Sequence, residues 1–214
     1  MKLETEAVKS DIKLYVETTL AKWPLSSKLY DEVLSSLIDG ANGQFRWVDC
    51  QICSLQALKM PKAIQKALAR LPKDLDAIYS ETLQKIDDIN YDSVHHIFMW
   101  LLYAYEPLTL DELADILAID VEEEKFDPQY RPLELQHGLH SIVDSTFVVI
   151  DSRRGENVVQ FAHISVQEFL VSKHSWAKAK NLFRLNKELG HEIIAQSCII
   201  YLLQFDSWEM PRFE

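Results

Sequence analysis

The sequence is short of glycine, cysteine and positive charge, and it has no apolar run long enough to cross a bilayer. Five glycines and seven prolines in 214 residues leave few places for sharp turns or bulges, which argues against a chain of many short strands. Three cysteines, Cys50, Cys53 and Cys198, make no disulfide framework and predict a reducing compartment, the cytoplasm. The longest apolar runs are Ile97 to Tyr105 and Ile193 to Phe205, the second interrupted by Gln196, Ser197 and Gln204. Both fall short of the ~20 residues of a membrane helix, and no apolar signal-peptide core follows the first residues, Met1 to Glu6. Lys and Arg number 22 against 33 Asp and Glu, a formal net charge of −11. Neutralising phosphates needs the opposite excess, so neither nucleic acid nor a membrane is expected as a partner.

What is present is the composition of a folded, helical protein: 48% hydrophobic and 26% charged residues. Val8, Ile12, Tyr15, Val16 and Leu20 recur at helical spacing, and Trp23-Pro24 ends that helix. Leu29, Val33, Leu34, Leu37 and Ile38 predict a second helix up to Asp39-Gly40, with a turn at Ala41-Asn42-Gly43. Phe45, Val48, Ile52, Leu55 and Leu58 form the next stripe, and Pro61 and Leu71-Pro72 open two further helices. A charged break at Asp87 to Asp92 then separates this array from a helix over Ser93 to Tyr105 that is apolar nearly all round. Its Phe98, Leu101 and Leu102 are expected to be buried.

Beyond it, Thr109-Leu-Asp-Glu112 is a capping box for a helix to Ile119, followed by an acidic, irregular stretch over Asp120 to Pro132 and a third helix, Leu133 to Asp144. Thr146 to Ile150 and Val158 to Ala162 predict a hairpin around Asp151 to Asn157, and Ser165-Val-Gln-Glu168 a second capping box. Three helices, a hairpin and a closing helix make a winged-helix module. The predicted fold class is mainly α: a helical domain over 1–90, a winged-helix domain with a short β-hairpin over 91–175, and a helical tail over 176–214.

The chemistry-bearing candidates are few. Cys50-Gln-Ile-Cys53 shares one helix face and has no second pair to complete a zinc site, so structural cysteine is the expectation. His95-His96 and His137-Gly-Leu-His140 lack partners at metal-ligand spacing, and Glu122 to Glu124 lack the glycine and alternation of a calcium loop. No metal site is therefore predicted. No GxxxxGK[ST], GxGxxG or GxSxG occurs, so no phosphate cradle or nucleophile elbow exists and no enzymatic activity is expected. A DNA-reading role would need cations on the third helix, which carries Glu134, His137, His140 and Asp144, with Arg131 upstream and Arg153 and Arg154 in the wing.

Several segments together resemble the region after the NTPase core of fungal NACHT-type signalling NTPases, members of the signal-transducing class that includes NLR-like immune receptors. These are Asp11 to Val16, Gly43 to Val48 with Cys50-Gln51, and Ala67 to Leu75 with Ile78-Tyr79. They continue with Trp100 to Leu102, Pro107 to Leu113, Phe161 to Leu170 and Cys198 to Phe205, the last resembling the segment before ankyrin repeats. The winged-helix portion is also similar to that of GPI inositol-deacylase-like proteins, a likeness that brings no hydrolase residues with it. The resemblance implies a regulatory, protein-interaction role in signal transduction. The chain would hold the closed state of a parent that binds ADP or ATP with Mg, its partners being an upstream NTPase domain and downstream repeats. It implies one site residue, His163, whose His-x-Ser-x-Gln-Glu-Phe context would present an imidazole N–H to the β-phosphate of ADP, and only with an NTPase core present. Read from the residues alone, His163 is a buried histidine bonded to a backbone carbonyl. The alternative functions are a free-standing adaptor with a winged-helix surface and a DNA-binding winged-helix protein.

Overall fold

Apolar residues three and four apart give the first 80 residues their helices. The computed structural model describes residues 2–152, 155–172 and 185–205, with only the backbone for 2–5, 136 and 137. Ten α-helices lie among the described residues, and the chain divides into two compact units, 1–78 and 79–214. The predicted junction at residues 87–92 coincides with a single 3-10 turn, Asp88–Asn90. The two units divide at 78/79, and Tyr79 packs against Phe147 and Phe169 of the second one.

The first unit is built from α1 (Lys2–Leu20), α2 (Ser27–Gly40), α3 (Phe45–Gln56), α4 (Pro61–Leu68) and the start of α5 (Leu75–Leu83). Ile12, Val16 and Leu20 of α1 meet Leu29, Val33 and Leu37 of α2 and Val48, Ile52 and Leu55 of α3 in its core. The stripe predicted for α3 needs two corrections. Phe45 is 42% exposed, whereas Trp47 is buried and its indole N–H donates to the Pro72 carbonyl at 2.9 Å. The indole fits because Gly40 opposite has no Cβ; one built there would meet the ring at 2.5 Å. Gly43, at φ +80°, and Asn42, at φ +44°, make the left-handed turn between α2 and α3.

The second unit follows the order α6 (Tyr91–Tyr103), β1 (Leu108–Thr109), α7 (Leu110–Leu117), β2 (Ile119–Asp120), β3 (Lys125–Phe126), α8 (Leu135–Ile142), β4 (Val148–Asp151), β5 (Val158–Phe161), α9 (Ile164–Val171) and α10 (Lys187–Leu203). Strands β1, β5 and β4 form an antiparallel sheet in that order, with Leu108 opposite Val159 and Ile150 opposite the same residue. Helix, strand, two helices and a two-stranded wing closing on the first strand define a winged helix. The Thr109–Glu112 capping box forms: the Thr109 N–H donates to the Glu112 carboxylate at 2.8 Å and the Glu112 N–H to Thr109 Oγ1 at 3.3 Å.

The differences from expectation are local. β1 was not predicted, and the irregular acidic stretch contains the β2–β3 ribbon, in which Asp120 Oδ1 accepts the N–H groups of Glu122 and Glu123. Helix α8 is shorter at both ends than Leu133 to Asp144, since Leu133 is 93% exposed and Val143 is already extended. The hairpin strands are Val148–Asp151 and Val158–Phe161. On α6, Phe98 is fully buried but Leu101 and Leu102 are only half-buried, because the deep face runs through Val94, Ile97, Phe98 and Met99. In the predicted helical tail, α10 packs on α6, with Gly190 against the Tyr103 ring and the Tyr103 hydroxyl donating to the Leu185 carbonyl at 2.9 Å. Residues 176–184 and 206–214 of that tail lie outside the described residues.

Candidate functional site

The one residue singled out for chemistry, His163, stands where β5 passes into α9. The Ala162 N–H still donates to the Phe147 carbonyl at 2.8 Å, and His163 follows in extended backbone, φ −162° and ψ 152°. From there its imidazole folds over the first turn of α9 and Nδ1 accepts the Ser165 N–H at 3.1 Å. His163 is thus the N-cap of α9, a place assigned from sequence to Ser165. The histidine is exposed, not buried, and its ring nitrogen meets an N–H, not a backbone carbonyl. Ser165 takes a different role. Its Oγ lies 2.7 Å from His163 Nδ1 and 2.8 Å from the Tyr79 hydroxyl.

In the tautomer with a bare Nδ1, which accepts the Ser165 N–H, the Ser165 hydroxyl donates to Nδ1 and the Tyr79 hydroxyl donates to Ser165 Oγ. That tautomer carries its proton on Nε2, the atom away from the cap. Tyr79 is a firm anchor: its ring is buried and lies 5.8 Å from Phe147 and 5.2 Å from Phe169, centroid to centroid. In that tautomer the arrangement offers one N–H donor at an exposed residue, suited to an anion or a carbonyl. Sequence reasoning found His163 and Ser165 but not Tyr79, which lies 86 residues before Ser165 and gives no local signal.

The other candidates are scattered. Cys50 is buried and Cys53 exposed on α3, and Cys198 is exposed on α10. Among the described residues no three His, Cys, Asp or Glu side chains come together as metal ligands. His95 and His96 of α6 border a cleft of about 620 Å³ with Asp92, Asp120 and Glu122. Burial, helped by the neighbouring His96, pushes the His95 imidazole down to about 4, and burial also lowers that of His96. Both rings are accordingly neutral at neutral pH and offer no cation to a phosphate. Glu122, Glu123 and Glu124 form the solvated turn of the β2–β3 ribbon, Glu124 at φ +48°. The side chain of His137 and the wing residues Arg153 and Arg154 lie outside what is described; His140 is exposed on α8.

Among the described residues, the helix a DNA reader would use is flanked by carboxylates. Glu134 precedes α8 and Asp144 follows it, and Arg131 is ion-paired with Asp115. Duplex DNA at ~150 mM salt should accordingly bind more weakly than ~10⁻⁴ M, the floor of non-specific binders. An electrophoretic shift at 1/100 of that protein concentration, surviving such salt, would reverse this expectation.

Residues 83–181 match the family described as the winged helix domain of GPI inositol-deacylase. Over 144 residues the chain is 31% identical to the azaphilone pigments biosynthesis cluster protein L of Monascus ruber, a stretch covering 64% of this chain and 30% of that protein. No solved structure matches at a significant level. No helix among the described residues is long and apolar enough to cross a membrane. The chain is thus similar, through residues 83–181, to the winged helix domain of GPI inositol-deacylase, and it spans about 30% of the length of the fungal relative it matches.

Proposed function

We propose that this chain is the regulatory, non-catalytic portion of a longer cytoplasmic signalling NTPase, and that His163 helps hold its nucleotide-bound resting state. The observation that carries the reading is the oriented imidazole: Tyr79, Ser165 and the α9 N-terminus place an Nε2–H donor on the surface of the winged helix. The similarity of residues 83–181 to a winged-helix family supports it. A β-phosphate of ADP is a fitting acceptor for such a donor, because a hydrogen bond to an anion is worth about twice a neutral one. The fit is confined to that donor. The chain has no GxxxxGK[ST] loop, so the phosphate cradle, Mg and the hydrolytic groups would belong to an upstream NTPase domain, which is the first partner this reading requires. ADP itself would supply only the anion, and His163 would meet it in the tautomer that carries the proton on Nε2.

The test uses a protein in which an NTPase domain precedes this chain. A hydrogen bond to a charged group contributes about 1.5–3 kcal/mol, so His163→Ala should release ADP roughly ten- to hundred-fold faster than wild type. His163→Asn separates the two roles of the residue. Asparagine caps helices well but is too short to replace Nε2–H, so it should match the alanine off-rate while keeping the wild-type melting temperature. Equal ADP off-rates in all three proteins would leave His163 a helix cap and remove the nucleotide role.

A further inference from the structure

The first unit lies wholly outside residues 83–181, and its charge is unlike that of the rest. Residues 1–78 carry 11 Lys and Arg against 10 Asp and Glu, whereas residues 79–214 carry 11 against 23. Within the first unit the cations are bunched. Lys59, Lys62, Lys66, Arg70 and Lys73 fall in residues 50–73, which contain no Asp or Glu. All five are exposed, and none has an ion-pair partner among the described residues.

At the head of this stretch lies a cleft of about 500 Å³ between the α1–α2 turn and the α3–α4 turn. Its walls are mainly apolar, with Trp23, Leu25, Leu58 and Pro61, and its charged lining residues are Lys22 and Lys59, with no carboxylate. Met60 beside Lys59 is 66% exposed. The walls are held by local structure. The Trp23 N–H donates to the Leu20 carbonyl at 2.9 Å and the Leu25 N–H to the Trp23 carbonyl at 2.7 Å; across the cleft the Ala63 N–H donates to the Met60 carbonyl at 2.9 Å. Pro24 and Pro61 restrict the backbone further. The nearby carboxylate of α2, Glu32, is engaged by Gln65 Nε2 at 2.9 Å.

We infer that this cleft is a docking site for an acidic peptide segment of a partner protein, which inserts one bulky apolar side chain between Trp23 and Leu58 and sets flanking carboxylates against Lys22 and Lys59. Charge complementarity selects the partner: unpaired cations on the rim of an apolar cleft favour anions and exclude basic segments. Concavity selects a side chain over a membrane, because a preformed cleft of this size takes an inserted group whereas a bilayer is met by a convex or flat apolar face. The Lys59 to Lys73 run extends the positive field beyond the cleft, which speeds encounter with an acidic segment at low salt.

The full chain, immobilised, is panned against a phage-displayed random dodecapeptide library, and the most enriched peptide is made with a fluorescein label for anisotropy titration. Enriched sequences should carry Asp or Glu around one Leu, Ile, Met, Phe or Trp. The Lys22→Glu/Lys59→Glu double variant, both residues being exposed, should weaken binding at least ten-fold with an unchanged melting temperature. Alanine in place of the peptide's bulky residue should do the same. Enrichment of basic or uncharged peptides, no enrichment at all, or equal affinity for the double variant would overturn the proposal. Co-sedimentation with phosphatidylserine vesicles, lost in the double variant and accompanied by no peptide enrichment, would assign the surface to membranes instead and overturn it equally.

Discussion

Replacing Phe147 with alanine should lower the stability of the second unit by about 3–5 kcal/mol, the cost of deleting a large aromatic side chain from a packed core. Phe147 is fully buried, and its ring lies 5.8 Å from Tyr79 and 5.4 Å edge-on from Phe98. It also stands at the entry to the wing, its N–H donating to the Asp144 carbonyl and its carbonyl accepting the Ala162 N–H. The cavity would therefore border helices on one side and the hairpin on the other, with no flexible side chain among the named neighbours to fill it. Urea denaturation should show a lower midpoint with an unchanged slope, and Phe147→Leu should recover most of the loss. A midpoint shift equivalent to under 1 kcal/mol for the alanine variant would contradict this packing. Leu101→Ala gives the contrast: half-buried on the shallower side of α6, it should cost about 1 kcal/mol, a fraction of the transfer term for a fully buried leucine.

The first unit has a comparable keystone. Trp47→Ala should destabilise it by about 3–5 kcal/mol, through lost packing and through the Pro72 carbonyl losing its 2.9 Å donor. Gly40 and Trp47 should prove coupled. A Cβ at position 40 would sit 2.5 Å from the indole edge, so Gly40→Ala alone should cost about 1–3 kcal/mol by overpacking. In Gly40→Ala/Trp47→Ala the methyl would enter space the ring has vacated, so the double variant should be more stable than the sum of the two losses implies. Strict additivity in denaturant titrations would place the two side chains apart.

Helices with a clear stripe were legible because their signal is local and repeated. Ile12, Val16 and Leu20, all buried, announce one face within three turns, and the Thr109–Glu112 cap needs only four consecutive residues. Strands of two residues carry no period. Leu108–Thr109 becomes a strand only through Val158 and Val159, about fifty residues later, and Ile119–Asp120 only through Lys125–Phe126. Helix α6 is legible as a helix, but one apolar nearly all round does not say which face lies deepest: Phe98 is fully buried, whereas Leu101 is half-buried. Trp47 was missed because its burial depends on an absent side chain on another helix. At the candidate site the histidine and serine were legible from the residues around them. Ser165 was misassigned as the cap because a histidine ring nitrogen, which took the N–H instead, is a rarer choice than a hydroxyl.

The position of Tyr79 has a practical consequence for where this chain can be cut. The match to the winged-helix family begins at residue 83, and an expression boundary drawn there, or at the charged break near residue 90, would discard the phenol hydrogen-bonded to Ser165. The shortened protein would retain every element of the winged helix from α6 onward, yet Phe147 and Phe169 would face the space the Tyr79 ring had filled. Ser165 would be left to hold the imidazole without its outer donor. A fragment meant to preserve the histidine should start no later than Asp74, whose carboxylate receives the Ala77 N–H at 2.8 Å and so starts the helix that carries Tyr79.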